Sequence, residues 1–374
     1  MKAAIEEFRV RPSICKYRTA EEFAAGLELG EGDLILTNEP VYRPYFEKLK
    51  LNCDVLYQER YGAGEPSDEM VEAMARDRKG EYKRIIGIGG GTVIDIAKLF
   101  ALKTLSPVAE LYDGIIRPEK ARELILVPTT CGTGSEMTNI SILALISKGT
   151  KKGLANDAMY ADQAVLVPEL LEKLPPYVFA TSSIDALIHA VESALSPKGN
   201  EFTRLFGYKA MEMILKGYKK ILEEGEGART ELTDDFLTAS CFAGIAFGNA
   251  GCAAVHALSY PLGAAFHVAH GESNYAVFTG VMNHYMERRT DGEIAVLNRF
   301  LANILDCREG EVYEELEKLL GLLLPKKALH EYGVPREKLA EFADSVMENQ
   351  GRLMANNFVE INREQVLEIY NRLY

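Results

Sequence analysis

The sequence predicts an α/β domain followed by an all-α domain. In the first half, short apolar runs alternate with amphipathic segments, which is typical of a parallel sheet covered by helices on both faces. After residue 168 no segment shows the period of two residues that strands have, and the apolar residues recur with helical spacing. A length of 374 residues suits about two domains. We therefore predict an N-terminal domain over residues 1–175 and a C-terminal domain over residues 176–374, with Pro175-Pro176 as the break.

The individual elements follow from the same patterns. Strands are predicted at residues 33–38, 54–58, 84–88, 123–127, 141–147 and 164–167. Ser67 is an N-cap residue, so one helix is expected from there to about residue 78, and another from Thr92 to about residue 103. In the second domain, helices are predicted at residues 177–195, 202–222, 231–247, 312–324, 336–347 and 363–373.

The composition is that of an ordinary globular protein, with 47% hydrophobic and 26% charged residues. The net charge of −13 argues against nucleic acid or anionic lipid as the main partner. The six cysteines are scattered without a C-x-x-C pair, which indicates reduced thiols. The first residues lack a basic segment followed by an apolar run, so we expect no signal peptide and a cytoplasmic location.

Residues 236–271 contain no Lys, Arg, Asp or Glu, and the stretch is long enough to raise the question of a membrane span. It is interrupted by Asn249, Pro261 and many glycines, and it carries three histidines. We therefore expect a buried core segment that lines a site.

Three consecutive glycines, Gly89-Gly90-Gly91, follow a predicted strand and precede a helix. Glycines let backbone N–H groups approach a phosphate closely, and a helix N-terminus adds a favourable dipole. The spacing differs from the usual G-x-G-x-x-G pattern, and a tight turn without a ligand is the alternative. Gly90, Gly91, Thr92 and Asp95 are the candidate phosphate-site residues of a Rossmann-like sheet.

The loop PTTCGTGSE, residues 128–136, directly follows another predicted strand. It lies at the carboxyl end of that strand, where ligands bind in open α/β sheets. Its hydroxyl groups could hold the phosphate, ribose or amide of a cofactor. The alternative is a polar loop that caps a helix near Ser135.

Asp185 and His189 are four residues apart in a predicted helix and therefore share one face. His256 and His270 follow in the charge-free stretch. One carboxylate and three imidazoles suit a divalent transition metal such as Fe²⁺ or Zn²⁺. For Asp185 and His189 alone, a surface salt bridge is the alternative.

Half of the chain's six histidines, at positions 256, 267 and 270, lie within fifteen mostly apolar residues. Buried histidines need partners, and a metal would supply one. His284 and His330 have polar neighbours in the sequence and are predicted at the surface.

Four segments in this order, GGGTVIDIAK, PTTCGTGSE, SSIDALIHAVES and HALSYPLGAAFHVAHG, resemble the iron-containing (group III) alcohol dehydrogenases along nearly the whole chain. The resemblance implies a dinucleotide-binding α/β domain, a helical metal-binding domain and an active site in the cleft between them. It implies NAD and Fe²⁺ as cofactors, with Zn²⁺ as a possible substitute, and a homodimer or higher homo-oligomer.

The same resemblance assigns residues one by one. The metal ligands implied are Asp185, His189, His256 and His270. The pyrophosphate turn would be Gly90, Gly91 and Thr92, and the loop beside the nicotinamide and its ribose would contribute Thr129, Thr133, Ser135 and Thr138. Lys152 matches a lysine that contacts the cofactor.

Several positions depart from the common family pattern. This chain has Tyr260-Pro261 where many members have His-Pro, Pro168-Glu169 where many have Asp-Pro, and Asn356-Asn357-Phe358 where many have Asn-Pro-Arg. These variants look like the 4-hydroxybutyrate dehydrogenase branch. The implied reaction is hydride transfer between NAD(H) and a small alcohol or aldehyde, with 4-hydroxybutyrate and succinate semialdehyde as the expected pair.

Coenzyme choice is expected to depend on the end of the first strong strand, at Asn38. Many family members have Asp at this position, where an acid accepts hydrogen bonds from the ribose 2′-hydroxyl and repels a 2′-phosphate. Glu39 follows Asn38, and no Arg follows immediately to pair a phosphate. The prediction is NAD, with NADP less favoured; the alternative is that Glu39 only caps the turn into Pro40.

For catalysis, the metal would stabilise negative charge on the alcohol oxygen while hydride passes to the nicotinamide. His267 could relay the proton to solvent, or it could be a packing histidine. Tyr260 is a second catalytic candidate, as a wall of the pocket or a hydrogen-bond donor. A substrate carboxylate needs a cation or donors, and the candidates are Asn356, Asn357 and Lys152.

Other activities remain open at this point. The same scaffold could serve butanol, 1,3-propanediol or glycerol, or a hydroxyacid–oxoacid transhydrogenase. A lyase that resembles dehydroquinate synthase would regenerate its NAD in each cycle. A metal-bound nucleotide-sensing module is the non-enzymatic alternative.

Overall fold

The computed structural model of the protein describes residues 6–62, 64–148 and 150–374. The chain divides into two compact units, one over Val10–Leu174 and one over Pro175–Tyr374 together with the segment that ends at Arg9. Arg9 exchanges two backbone hydrogen bonds with the Asn249 side chain, at 2.8 Å and 2.9 Å. These bonds attach the N-terminal segment to the helical unit.

The first unit contains eight strands among the described residues: β1 Ser13–Lys16, β2 Asp33–Thr37, β3 Asp54–Tyr57, β4 Arg84–Gly89, β5 Glu123–Pro128, β6 Ile140–Leu145, β7 Thr150–Ala155 and β8 Gln163–Leu166. Six of them form one parallel sheet in the order β1-β8-β5-β4-β2-β3. The prediction of a parallel, Rossmann-like sheet is confirmed. The strand predicted at residues 141–147 instead pairs antiparallel with β7 in a separate two-stranded sheet.

Helices cover both faces of the parallel sheet. They are α1 Ala20–Gly26, α2 Glu39–Tyr45, α3 Asp68–Arg76, α4 Gly91–Phe100 and α5 Val108–Tyr112. Alternate residues of β2 enter different hydrophobic clusters, since Leu34 and Leu36 pack with α3 and α4 while Ile35 packs with α1 and α2. Burial on both faces explains why these strands read as continuous apolar runs.

The second unit is helical, as predicted. Its helices are α6 Pro176–Leu195, α7 Glu201–Glu224, α8 Glu226–Glu231, α9 Thr233–Ala250, α10 Ala254–Phe266, α11 His270–Arg288, α12 Glu293–Leu305, α13 Val312–Leu323, α14 Lys338–Asn349, α15 Gly351–Met354 and α16 Arg363–Leu373. Asn200 and Asn362 begin α7 and α16 as capping boxes, in which the side chain accepts from the third helical N–H group.

The charge-free stretch forms most of α9, all of α10 and the start of α11. By length and composition α6 could cross a membrane, and α9 with α10 would make a second candidate despite a bend of 106° between them. However, 89% of the apolar stretch of α6 is buried inside the protein. Burial of this kind is typical of a core helix.

Two further sequence predictions have clear outcomes. All six cysteines are free thiols, as predicted. His330 is exposed, but the surface prediction for His284 is wrong because this side chain is fully buried. His284 lies seven residues, about two helical turns, after the buried Val277. Both side chains are therefore on the same inward face of α11.

Candidate functional site

The helical unit brings together the four side chains that the sequence singled out as metal ligands. Asp185 and His189 share one face of α6, His256 lies in the first turn of α10, and His270 is the first residue of α11. One ligand atom from each of the four lies within 4.8 Å of the others. The cluster therefore joins α6 to the consecutive helices α10 and α11, which lie about 60 residues later in the chain.

The spacing of the ligand atoms suits a metal. Asp185 Oδ1 lies 3.8 Å from His270 Nε2 and 3.9 Å from His256 Nε2, and Asp185 Oδ2 lies 3.9 Å from His189 Nδ1. Two ligands held tetrahedrally at about 2.1 Å from a metal are roughly 3.4 Å apart. The three carboxylate–imidazole distances exceed this value by about half an ångström, and the imidazole and carboxylate donors fit Fe²⁺ or Zn²⁺.

A glycine allows α11 to approach α6 at this point. A Cβ added to Gly271 would lie 2.0 Å from the Thr181 carbonyl oxygen and 3.2 Å from the Asp185 Cβ. No side chain fits in that space. The absence of a side chain at Gly271 therefore lets α11 pack closely against α6. This brings His270, which precedes Gly271, close to Asp185 on α6.

Asn274 lies one turn after His270 and orients the carboxylate. Its Nδ2 donates to Asp185 Oδ1 at 2.7 Å and lies 3.2 Å from His256 Nε2. Burial opposes ionisation of Asp185, but the surrounding histidines and the Asn274 amide outweigh it and hold the pKa of this carboxyl below its ordinary value. Asp185 is therefore the anionic member of the set.

Glu192, also on α6, contacts the opposite side of the His256 ring. Glu192 Oε2 lies 2.6 Å from His256 Nδ1, and Glu192 Oε1 accepts from the Val255 backbone N–H at 2.6 Å. We assign the Nδ1–H tautomer to His256, which leaves the Nε2 lone pair facing Asp185.

Cys252 lies beside this pair, and Glu192, Cys252 and His256 also have ligand atoms within 4.8 Å of one another. Burial raises the pKa of the Cys252 thiol. The thiol and the Glu192 carboxylate both border the His256 ring.

The metal cluster opens on one side. The Asp185, His189 and His256 side chains are almost completely buried, whereas the His270 side chain is 34% exposed. The Tyr260 ring centroid lies 6.1 Å from that of His270. His267 ends α10 as an exposed residue in the left-handed region, with φ of 54°. Both catalytic candidates are thus close in sequence or space to the most exposed ligand.

The α/β unit has its own ligand-binding feature, at the carboxyl edge of the parallel sheet. The chain leaves β4 toward β5 on one side and leaves β2 toward β3 on the other, although β2 and β4 are neighbours. This is a topological switch point, where open α/β sheets bind their ligands. Asn38 and Gly90 follow the two strands that meet there.

The glycine turn permits close packing at this edge. A Cβ added to Gly91 would lie 2.9 Å from Thr133 Cγ2. Gly90 is the N-cap residue of α4 and has no side chain with which to cap it, so the first N–H groups of the helix can receive an anion. Thr92 Oγ1 donates to the Gly64 carbonyl at 3.3 Å, and Thr129 N donates to the Gly89 carbonyl at 3.0 Å.

Three other residues predicted at the cofactor, Asp95, Ser135 and Thr138, bind the buried Lys98 of α4. The fully buried Lys98 ammonium donates to Ser135 Oγ at 2.6 Å, the Ile140 carbonyl at 2.6 Å and Thr138 Oγ1 at 3.1 Å. Asp95 Oδ1 accepts from Ser135 at 2.6 Å and lies 3.3 Å from Lys98. Burial lowers the pKa of Lys98, because the loss of hydration disfavours the ammonium more than the nearby Asp95 carboxylate stabilises it.

The remaining candidates have separate positions. Lys152, on β7, is half exposed and lies 3.8 Å from Asp113. Asn356 donates to the Ala250 and Cys252 carbonyls at 2.9 Å and 3.1 Å, so its amide group has a structural role in the helical unit. Asn357 accepts from the Tyr285 hydroxyl at 3.1 Å.

The supporting residues Glu192, Asn274 and Lys98 were not predicted from the sequence. Each carried a usable signal. Glu192 is seven residues after Asp185, and Asn274 is four residues after His270, so both share a helix face with a ligand. Lys98 is a charged residue among the apolar positions of α4.

Comparisons with known proteins cover both units. The family model described as "Iron-containing alcohol dehydrogenase" matches residues 16–168, and "Fe-containing alcohol dehydrogenase family, C-terminal" matches residues 179–374. A 4-hydroxybutyrate dehydrogenase from Clostridium kluyveri is 49% identical over 98% of this chain and 99% of that protein. Long-chain-alcohol dehydrogenase 1 from Geobacillus thermodenitrificans is 33% identical over 83% of this chain and 79% of that protein.

Solved structures show the same fold at lower sequence identity. Sulfoacetaldehyde reductase from Bifidobacterium kashiwanohense, in complex with NAD⁺, has a TM-score of 0.85 and 21% identity and covers 99% of both chains. An iron containing alcohol dehydrogenase has a TM-score of 0.80 and 24% identity, again over 99% of both chains. Because two family models match most of its length and a full-length relative is 49% identical, the chain belongs to the iron-containing alcohol dehydrogenase family.

Proposed function

We propose that this protein catalyses the reversible, NAD-dependent oxidation of 4-hydroxybutyrate to succinate semialdehyde at a metal held by Asp185, His189, His256 and His270. The observation that carries the proposal is the four-ligand cluster in a chain that is 49% identical, over 98% of its length, to a 4-hydroxybutyrate dehydrogenase.

The helical unit prepares the metal position. Asn274 orients the Asp185 carboxylate, and Glu192 holds the His256 ring so that Nε2 faces the cluster. A bound Fe²⁺ or Zn²⁺ would supply Lewis-acid stabilisation of the reacting oxygen, and NAD would accept the hydride. The substrate would approach beside His270, the most exposed of the four ligands.

The α/β unit supplies the dinucleotide site. Gly90, Gly91 and Thr92 would hold the pyrophosphate at the N-terminus of α4, and Thr129 and Thr133 would lie beside the nicotinamide end. Asp95, Ser135 and Thr138 would act through the Lys98 contacts that position this loop. Lys152 is the remaining candidate for a cofactor contact.

Proton transfer would involve His267. An exposed imidazole three residues before His270 can pass a proton between the site and solvent. Tyr260 would form part of the pocket wall or donate a hydrogen bond to the substrate, as its ring lies close to that of His270. A cytoplasmic location and a homodimer or higher homo-oligomer complete the proposal.

The test is NADH formation by metal-stripped protein after addition of Fe²⁺ or Zn²⁺, with 4-hydroxybutyrate beside 1-butanol, 1,3-propanediol and glycerol. We expect metal-dependent turnover with 4-hydroxybutyrate. Turnover only with the neutral alcohols would overturn the substrate assignment. Failure to form NADH with any of them would favour a transhydrogenase or lyase.

A matched pair of variants tests the metal assignment. Asp185→Asn keeps the shape of the side chain but removes its charge, so turnover should be lost while NAD⁺ binding remains measurable by calorimetry. Asp291→Asn removes an exposed carboxylate from the same unit and should leave turnover unchanged. Full activity of the Asp185 variant would overturn the assignment.

A further inference from the structure

Beside the glycine turn, the carboxyl edge of the sheet carries a carboxylate from a strand that the cofactor assignment did not use. The register pairs Thr37 of β2 with Tyr57 of β3 and with Ile88 of β4. The residues that follow these strands therefore share one edge. On this edge, Asn38 lies between the glycine turn and the segment Gln58-Glu59-Arg60.

The Asn38 side chain binds that segment. Its Nδ2 donates to Gln58 Oε1 at 3.1 Å and to Glu59 Oε2 at 3.0 Å. The second carboxylate oxygen, Glu59 Oε1, accepts from the Glu39 backbone N–H at 2.6 Å. Each oxygen of the exposed Glu59 carboxylate is thus held against the end of β2.

Gln58 is itself fixed, so the contact with Asn38 is well defined. Its side chain is 6% exposed and donates to the Gly62 carbonyl at 2.9 Å. Asn38 therefore binds both the buried Gln58 side chain and the Glu59 carboxylate. An amide at the end of β2 carries no charge of its own, but here it positions a carboxylate where the strand ends.

We propose that Glu59 supplies the negative charge that selects NAD over NADP, and that Asn38 is a positioning residue for it. This inference rests on the proposed NAD-dependent function. A carboxylate at this edge can accept a hydrogen bond from the ribose 2′-hydroxyl, and it repels the 2′-phosphate of NADP. The acid comes from the segment that follows β3 and not from β2 itself.

Two nearby arginines make the choice between NAD and NADP depend on the Glu59 charge. Arg43 pairs with Glu39, and Arg60 lies 3.8 Å from the same carboxylate and stacks over the Tyr57 ring. Both guanidinium groups are thus at the same sheet edge. Without the Glu59 charge, they would favour a 2′-phosphate.

Calorimetric binding of NAD⁺, NADP⁺, 5′-AMP and adenosine 2′,5′-bisphosphate tests the inference without relying on turnover. Wild-type protein should bind NAD⁺ about tenfold or more tightly than NADP⁺. Glu59→Gln should reduce this ratio by about tenfold, equivalent to about 1.4 kcal/mol, and should change the ratio of the two adenosine phosphates in the same direction. Glu59→Asp keeps the charge and should largely keep the wild-type ratio.

Two further variants complete the design. Asn38→Ala should weaken the preference only in part, because Glu59 keeps its charge but loses one contact. Glu123→Gln removes an exposed carboxylate at the opposite, amino-terminal edge of the sheet and should change nothing. An unchanged ratio in Glu59→Gln, or equal binding of both dinucleotides by the wild type, would overturn the inference. Failure of the wild type to bind either dinucleotide would instead overturn the proposed function.

Discussion

The His256 imidazole is held by Glu192, whose Oε2 lies 2.6 Å from the ring Nδ1. The two residues are 64 positions apart and come from α10 and α6. Both side chains are buried, with exposures of 4% and 2%. This contact determines which nitrogen of His256 faces Asp185.

Removal of the Glu192 charge should therefore weaken metal binding. Glu192→Gln no longer favours the Nδ1–H tautomer of His256, and we expect metal affinity to fall by about 10- to 100-fold, as for other residues that support a metal ligand. Competition with a chromogenic chelator measures the affinity. Glu201→Gln, at the exposed start of α7, is the control and should bind metal like the wild type. Equal affinity in both variants would contradict the role of Glu192.

Gly271→Ala should disturb the same centre by steric means. The added Cβ would meet the Thr181 carbonyl oxygen, so α11 must move away from α6 and carry His270 with it. We expect a loss of roughly 1–3 kcal/mol in the free energy of unfolding, together with weaker metal binding. Gly351→Ala is a matched control, because its added Cβ would meet nothing within 4 Å. Chemical denaturation and metal titration of both variants measure these two quantities. If Gly271→Ala unfolds and binds metal like the wild type, the proposed packing constraint at Gly271 is excluded.

Lys98→Met should destabilise the α/β unit. The substitution leaves Asp95, Ser135 and the Ile140 carbonyl without the buried ammonium that binds them. Loss of one partner from a buried ion pair typically costs about 3–5 kcal/mol. Lys103→Met, whose native side chain is 70% exposed, should change the free energy of unfolding by about 0.5 kcal/mol or less. Comparable unfolding midpoints for the two variants would argue against a structural role for Lys98.

Glu136 should make stability depend on pH. Burial raises the pKa of this carboxyl to about 7, and neither of its oxygens accepts a hydrogen bond from another residue that the structure describes. In the unfolded chain the group ionises near the ordinary glutamate pKa of 4.5. The folded protein therefore retains the proton between these two pKa values, and the stability contribution of Glu136 falls as the pH rises through this window.

Glu136→Gln should remove that decrease. We expect similar stabilities of variant and wild type near pH 5 and a more stable variant near pH 7.5, by up to roughly 3 kcal/mol. Denaturant titrations at both pH values measure the difference, with the exposed Glu119→Gln as control. A wild-type advantage at the higher pH would mean that the Glu136 carboxylate is stabilised by its surroundings.

Much of the fold could be predicted because it depends on local patterns. The apolar runs of β2, β4 and β5 mark strands buried on both faces, and Ser67 caps α3 through its side chain as its residue type suggests. The edge strand β1 and the exposed strand β7 were missed. Their residues are mostly exposed or half-buried, so they lack the apolar pattern on which the prediction depended.

The sequence by itself determined the division into an α/β half and a helical half, the family and the four ligand types, since residue type and local apolar spacing carry that information. It did not predict α10 and α11, the two helices that carry His256 and His270. Only the tertiary structure decided which side chains support them. The Glu192–His256, Lys98–Ser135 and Asn38–Glu59 contacts join residues 21 to 64 positions apart. Such contacts arise from the packing of separate helices and strands, and spacing along one helix does not identify the partner on another element. For the same reason, burial of His284 became evident only when α11 was packed among its neighbours.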